Sequence, residues 1–407
     1  MRVVLGTIGK FHTFDLGREL YRHGALERVF SGYPWFKLRG EGLPRRLVST
    51  YPWVVLPRMA LARYGLMHGR LVEAVDELSH RTFGRYVARH LPPCDIFHGL
   101  SRYSLWPGLA ARRQGAKFIL DVGSSHMTTQ LALLEAERAE TGVTIDGFHP
   151  AAIEREYREY AEADLITVPS EFSLRSFVAN GVPREKLAKV IYGVDLRRFS
   201  PVETRPDGRF RVLFVGGLSL RKGIHYLVRA FARARIPGSQ LILVGSRTPQ
   251  TDILLRGGEG LDIVTTGHIP QPQLREWYSR ADVFVLPSVE DGYGLVLLQA
   301  LACGCPVIAS ANTGGPDCVR EGENGFIVPA RSVDALAERL VWFAEHREQA
   351  RAMRAAALAS ASVANSVGQY GDAMMAVYAG ALGGAPGASG SATQQHAADV
   401  EGRPQRT

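Results

Sequence analysis

Short apolar, β-branched runs alternate along this chain with segments whose apolar positions recur at helical spacing. Continuous runs bounded by turn residues read as strands buried on both faces of a parallel sheet, and the segments between them as helical crossovers. In the first half the pattern predicts strands at Arg2–Gly6, Leu26–Ser31, Asp95–Gly99, Lys117–Val122, Leu165–Pro169 and Lys189–Tyr192. Helices fall between them, notably Phe14–His23, Leu71–His90 and Ile153–Ala163. The second half repeats the pattern, with strands at Arg211–Val215, Gln240–Val244, Asp262–Thr265, Asp282–Leu286, Pro306–Ala309 and Phe326–Val328. Its helices are predicted at Ile224–Ala234, Leu274–Arg280, Leu295–Cys303, Val333–His346 and Ala350–Ala361. Two α/β units in tandem are therefore expected, over residues 1–195 and 196–365, joined by the Pro- and Gly-containing stretch Leu196–Arg209. A ligand cleft is expected between them, outside the carboxyl ends of the strands. From about Gly384 the chain is Gly, Ala, Ser, Gln and Pro; with nothing apolar to pack, 384–407 is expected to be disordered.

Composition narrows the class. A chain of 407 residues favours two or three domains and can bury a large core. Cys94, Cys303, Cys305 and Cys318 form no C-x-x-C pair and read as buried thiols. There is no secretory signal and no apolar run of membrane-spanning length, so a reduced cytoplasmic protein is expected. The net charge of +8 is uneven. Lys37, Arg39, Arg45, Arg46, Arg58 and Arg63 face only Glu41 within their segment, with Trp35, Phe36, Tyr51 and Trp53 interleaved. An ordinary solvated surface explains such a patch about as well as a ligand does. Among ligands, an anionic membrane surface ranks above nucleic acid, because no nucleic-acid motif accompanies the patch.

The chemistry concentrates between Pro287 and Ala309. A buried strand ends at Pro287, an acidic glycine loop follows (Glu290-Asp291-Gly292-Tyr293-Gly294), and a buried helix starts at Leu295. Gly292 and Gly294 permit a tight turn and close approach of a ligand. The first amides of the helix suit an anion such as diphosphate. Glu290 and Asp291 would repel phosphate and suit sugar hydroxyls, although acids this close to a helix start can also simply cap it. Together these features describe a nucleotide-sugar site. Upstream, Phe214-Val215-Gly216-Gly217-Leu218-Ser219-Leu220-Arg221-Lys222-Gly223 puts a lysine at a helix N-terminus, where a cation is unfavourable unless an anion sits beside it.

The segment from Asp291 to Gln299, with Glu290 as the other candidate for its first acid, resembles the acid, seven residues, acid signature of the family-4 retaining glycosyltransferases, which have the two-domain GT-B fold. The block around Lys222 resembles the family's diphosphate-binding loop. Ala163–Ser173 and Tyr192-Gly193-Val194-Asp195 agree in order and spacing, so the resemblance covers most of residues 95 to 330. It implies an α/β GT-B fold of two Rossmann-like domains facing a cleft, acceptor side first, with a final helix near 366–382 crossing back to the first domain. It implies a hexosyltransferase-type enzyme that moves a sugar from a nucleotide-diphosphate sugar to a glycolipid, polysaccharide or other hydroxyl acceptor. His126, Asp291, Glu290 and Lys222 are the catalytic candidates. Gly217, Arg221, Lys222, His268, Ile269, Gly292, Tyr293, Gly294, Leu295 and Gln299 are the donor-binding candidates. His12 and His98, which also end strand-like runs, carry little weight. No D-x-D triplet occurs, so no metal or other cofactor is expected and cationic side chains would meet the departing diphosphate.

Two positions depart from the family pattern. Gln299 stands where the family has a ribose-binding glutamate, and Gly217 where it often has arginine, a charge that Arg221 can supply. A core glutamine is the competing reading of Gln299. The departures leave two alternatives: an inactive GT-B relative acting as a binding or scaffold protein, and a GT-B nucleotide-sugar epimerase. Base, sugar, acceptor and oligomeric state are not encoded in any motif.

Overall fold

The computed structural model describes residues 1–53, 55–57, 70–143, 148–204, 207–248, 250–361 and 365–383. Among these, two fully parallel sheets account for the strands. The first holds β1 (Val3–Thr7), β2 (Leu26–Ser31), β3 (Val48–Thr50), β4 (Ile96–Leu100), β5 (Lys117–Asp121), β6 (Leu165–Val168) and β7 (Leu187–Lys189), in the order β3-β2-β1-β4-β5-β6-β7. The second holds β8 (Phe210–Val215), β9 (Ser239–Val244), β10 (Ile263–Gly267), β11 (Val283–Leu286), β12 (Val307–Ser310) and β13 (Gly325–Val328), in the order β10-β9-β8-β11-β12-β13. The strand interiors are apolar because helices cover both faces; β1, β8 and β11 are buried almost throughout. All four cysteines are buried thiols.

Two strands depart from the sequence pattern. The three-residue edge strand β3 is too short to show a period. β7 ends at Lys189, three residues before the predicted Tyr192. Tyr192 leaves the sheet, and its hydroxyl reaches Asp121 Oδ1 at 3.4 Å.

Strand order reverses between β1 and β4 in one sheet and between β8 and β11 in the other, and such switch points open crevices at the carboxyl ends of strands. The chain passes between the sheets twice. At the crossing the N–H of Val194 donates to Asn365 O at 2.8 Å. The helix Val367–Ala381 then packs on the helix Thr13–Arg22 of the first sheet's domain. There the Tyr378 hydroxyl lies 2.5 Å from His98 Nδ1, and His23 Nε2 lies 2.9 Å from Asp372.

Side chains of the helix Met127–Thr141 join the two domains. Gln130 and Glu137 are two turns apart, hence on one face, and both reach the second domain. Glu137, fully buried, lies 3.0 Å from His225 Nε2, accepts from the Tyr226 hydroxyl at 3.0 Å, and pairs with Arg331 at 2.6 Å.

Candidate active site

A pocket of about 500 Å³ opens between the two switch points. Ile8, Phe11 and His12 after β1, and Ser101, Arg102 and Tyr103 after β4, form one wall. Val215 and Gly216 at the end of β8, Lys222, Asp291 and Tyr293 to Val296 after β11 form much of the other. The volume falls in the range of small-ligand sites.

Lys222 and Asp291 meet at this wall as a buried ion pair. Gly223 sets the position of Lys222: its φ is +67°, and a Cβ there would stand 2.1 Å from Pro287 O. Only glycine allows the Lys222 turn to dock against the end of β11. Burial alone would raise the Asp291 carboxyl, but Lys222 and Arg221 outweigh it and hold the group below the usual carboxylate range. The Asp291 carboxylate is thus held ionised beside the lysine.

Tyr293, Gly294 and Leu295 also line the pocket. The buried helix after the acidic loop runs Val296–Ala302, a residue shorter at each end than its pattern predicts, with its start at the pocket wall.

Several predicted site residues lie elsewhere. Glu290 is fully buried and faces the domain interface. Its carboxylate accepts from the Ser125 N–H and hydroxyl, each at 2.9 Å, from Gln130 Nε2 at 2.8 Å and from Arg221 at 3.1 Å. It joins the domains rather than meeting a sugar, and Arg221 is drawn away from the pocket with it. Gly292 is closely approached, but by protein: a Cβ there would stand 2.1 Å from Gly123 O of the first domain. His126 caps the helix Met127–Thr141, its Nδ1 accepting from the Thr128 N–H at 3.3 Å. Its ring packs on Tyr160 and Phe177, outside the pocket, and burial pushes its pKa down to about 4. Gln299 is buried and its Oε1 accepts from the Tyr278 hydroxyl at 3.1 Å, the core contact its sequence context left open. Gly217 and His268 are exposed, Ile269 is half-buried against the core, and none of the three lines the pocket.

In place of His126 the fold supplies His12. Its Nε2 lies 2.5 Å from Asp121 Oδ2, and its ring stacks on Tyr192 at 3.9 Å. Asp121 is also reached by Thr167 at 3.3 Å and lies 3.5 Å from His98 Nε2. Burial works to raise the Asp121 carboxyl, yet His12 and His98 hold it well below its ordinary range. An imidazole oriented by a buried carboxylate can accept a proton or fix a hydroxyl. Asp121 is 109 positions from His12, so the link between them had no local signal in the sequence.

Two facing parallel α/β units with a cleft between their switch points define a GT-B protein. Solved structures agree on the fold. Sucrose-phosphate synthase from Thermosynechococcus elongatus superposes with a TM-score of 0.70 at 22% identity, covering 94% of this chain and 99% of that one. Anabaena HepE in complex with UDP and glucose superposes with a TM-score of 0.68 at 19% identity, covering 93% and 100%. Residues 209–346 match the family model described as Glycosyl transferases group 1. That match covers the second domain, which is of the group 1 glycosyltransferase type. The chain is 32% identical over 200 residues to the GDP-mannose-dependent alpha-(1-6)-phosphatidylinositol monomannoside mannosyltransferase of Mycolicibacterium smegmatis, covering 43% of this chain and 51% of the relative. It is 28% identical over 354 residues to the D-inositol 3-phosphate glycosyltransferase of Kribbella flavida, covering 81% and 80%. The chain thus spans about half the length of the first relative and most of the second.

Proposed function

We propose that this chain is a retaining, nucleotide-sugar-dependent hexosyltransferase that glycosylates a glycolipid or polysaccharide hydroxyl. One observation carries the reading: the Lys222–Asp291 ion pair at the wall of the interdomain pocket, beside Gly216 and the start of the helix Val296–Ala302. In this reading the donor diphosphate takes Lys222 from Asp291. Asp291 is then free to accept from a sugar hydroxyl, and Lys222 meets the charge that grows on the departing diphosphate, without a D-x-D metal. The relatives' names support the substrate class, since they include a GDP-mannose-dependent enzyme acting on a phosphatidylinositol mannoside. His12, held by Asp121 on the opposite wall, faces the side where the acceptor hydroxyl would enter.

Binding of UDP, GDP, ADP and dTDP by thermal shift identifies the base. With the donor so chosen, Lys222→Ala should lower turnover by about 100-fold or more, the scale of a lost transition-state donor. Failure of all four nucleotides to bind, or unchanged kinetics in the variant, refutes the assignment. Binding with no transfer to any acceptor favours a scaffold, and donor isomerisation favours an epimerase.

The reading also places the protein in the cytoplasm, at an anionic membrane face. Lys37, Arg39, Arg45 and Arg46 are exposed, as are Phe36 and Trp53, and the Arg45 guanidinium stands 5.1 Å over the Trp35 ring. Arg58 and Arg63 lie outside the described residues. No helix among the described residues is long and apolar enough to cross a membrane.

A further inference from the structure

A second cavity, of about 970 Å³, lies at the opposite end of the second sheet from the cleft. It is bounded by the amino-terminal ends of β8 and β9 and by Asp282 ahead of β11. Six guanidinium groups line it, from Arg209, Arg211, Arg280, Arg347, Arg351 and Arg354. Three carboxylates, Glu203, Asp207 and Asp282, stand among them. The lining therefore carries a formal charge of +3, being six cations against three anions.

The pairing is uneven. Arg211 pairs with Asp207, Arg347 with Asp282 at 3.0 Å, and Arg209 with Asp262 at 3.0 Å. Arg354 donates to two backbone carbonyls, Ala281 O at 2.9 Å and Ser279 O at 2.8 Å, which hold it in place without neutralising its charge. Arg280 and Arg351 are exposed, and among the described residues neither has a carboxylate within ion-pair distance. Arg280, Arg351 and Arg354 thus stand against Glu203 as the remaining lining carboxylate, and this excess of positive charge in one concave space raises the local concentration of anions. Planar guanidinium groups favour phosphate in particular. Trp277 and Ile242 add an apolar wall.

We propose that this cavity binds a small metabolite carrying two or more phosphate groups on a partly apolar body. The concave shape and the volume suit a small molecule rather than an extended polymer. Its position gives the ligand a lever. Glu203, Thr204 and Asp207 to Arg209 follow the first crossing, and the helix Arg347–Ala361 precedes the second crossing at Asn365. A bound anion would touch the approaches to both.

The test is calorimetric titration of the full chain at about 0.15 M salt. The probes are tripolyphosphate for the phosphate chain alone, ATP for a nucleotide source and fructose 1,6-bisphosphate for a sugar source. Lys222→Ala separates this cavity from the cleft and should bind like the wild type here. The double variant Arg280→Ala, Arg351→Ala should bind the preferred probe about ten-fold or more weakly, the scale of lost charge-assisted contacts. Both arginines are exposed, so an unchanged melting temperature is expected; Arg280→Gln, Arg351→Gln is the fallback if it is not. Wild-type affinity in the double variant overturns the proposal. So does binding that disappears in Lys222→Ala, or a loss reproduced by Arg138→Ala on the first domain.

Discussion

The substitution Glu290→Gln separates two roles for the same residue. The sequence suggests that Glu290 holds a sugar; the fold makes it a domain strut. Its carboxylate receives the Ser125 N–H, the Ser125 hydroxyl, Gln130 Nε2 and Arg221, and the group is fully buried. An amide has one acceptor oxygen and two donors. Whichever way the substituted amide turned, its NH2 would face a donor. If the NH2 opposes Ser125, the backbone N–H is stranded, at a cost of roughly 1–3 kcal/mol. If it opposes Gln130 and Arg221, the guanidinium loses its carboxylate. A broken buried pair costs about 3–5 kcal/mol, but the Arg221 side chain is 36% exposed and water recovers part of that. Roughly 2–4 kcal/mol is therefore expected, which for a domain of this size shifts melting by about 4–15 °C. Calorimetric melting of Glu290→Gln without ligand is the assay. A shift under about 2 °C, together with weakened donor binding, would refute the strut and restore the sugar contact.

Three other outcomes test separate parts of the picture. His126 has a folded pKa of about 4 against an ordinary value of 6.5, so the stability it contributes is present above pH 6.5 and is lost as pH falls toward 4. Melting should drop over that window by the equivalent of roughly 2–3 kcal/mol, and His126→Asn, which keeps a capping acceptor, should flatten the drop; a parallel profile would place the titration elsewhere. Gln299→Leu strands the Tyr278 hydroxyl and should cost roughly 1–3 kcal/mol of stability in urea unfolding, and an unchanged transition would return Gln299 to the ribose. Charge reversal of Arg45 and Arg46 to Glu should cut co-sedimentation with anionic liposomes, as each cation near such a surface is worth about 1 kcal/mol, and equal recovery on neutral vesicles would defeat membrane docking.

What the sequence determined was local and periodic. Buried parallel strands announce themselves as β-branched runs, so twelve strands stand within a few residues of their predicted places, and tandem α/β units followed from their alternation. Lys222 was legible because a cation at a helix start conflicts with the backbone dipole unless something answers it. The conflict is visible within a few residues, and the fold answers it with Asp291. Direction was not legible. Glu290 and Asp291 are adjacent and chemically alike, yet one points into the domain interface and the other to the pocket, because the chain bends at Glu290 and sends the two side chains to different sides. Which side is pocket depends on where Ser125 and Gln130 arrive, 165 and 160 positions away. The choice of His12 over His126 has the same origin. Both end strand-like runs, but His126 is taken up by capping its own helix, while the reversal of strand order between β1 and β4 opens the crevice beside His12. Burial, partner and orientation are properties of contacts between distant segments, and only the closed tertiary structure decides them.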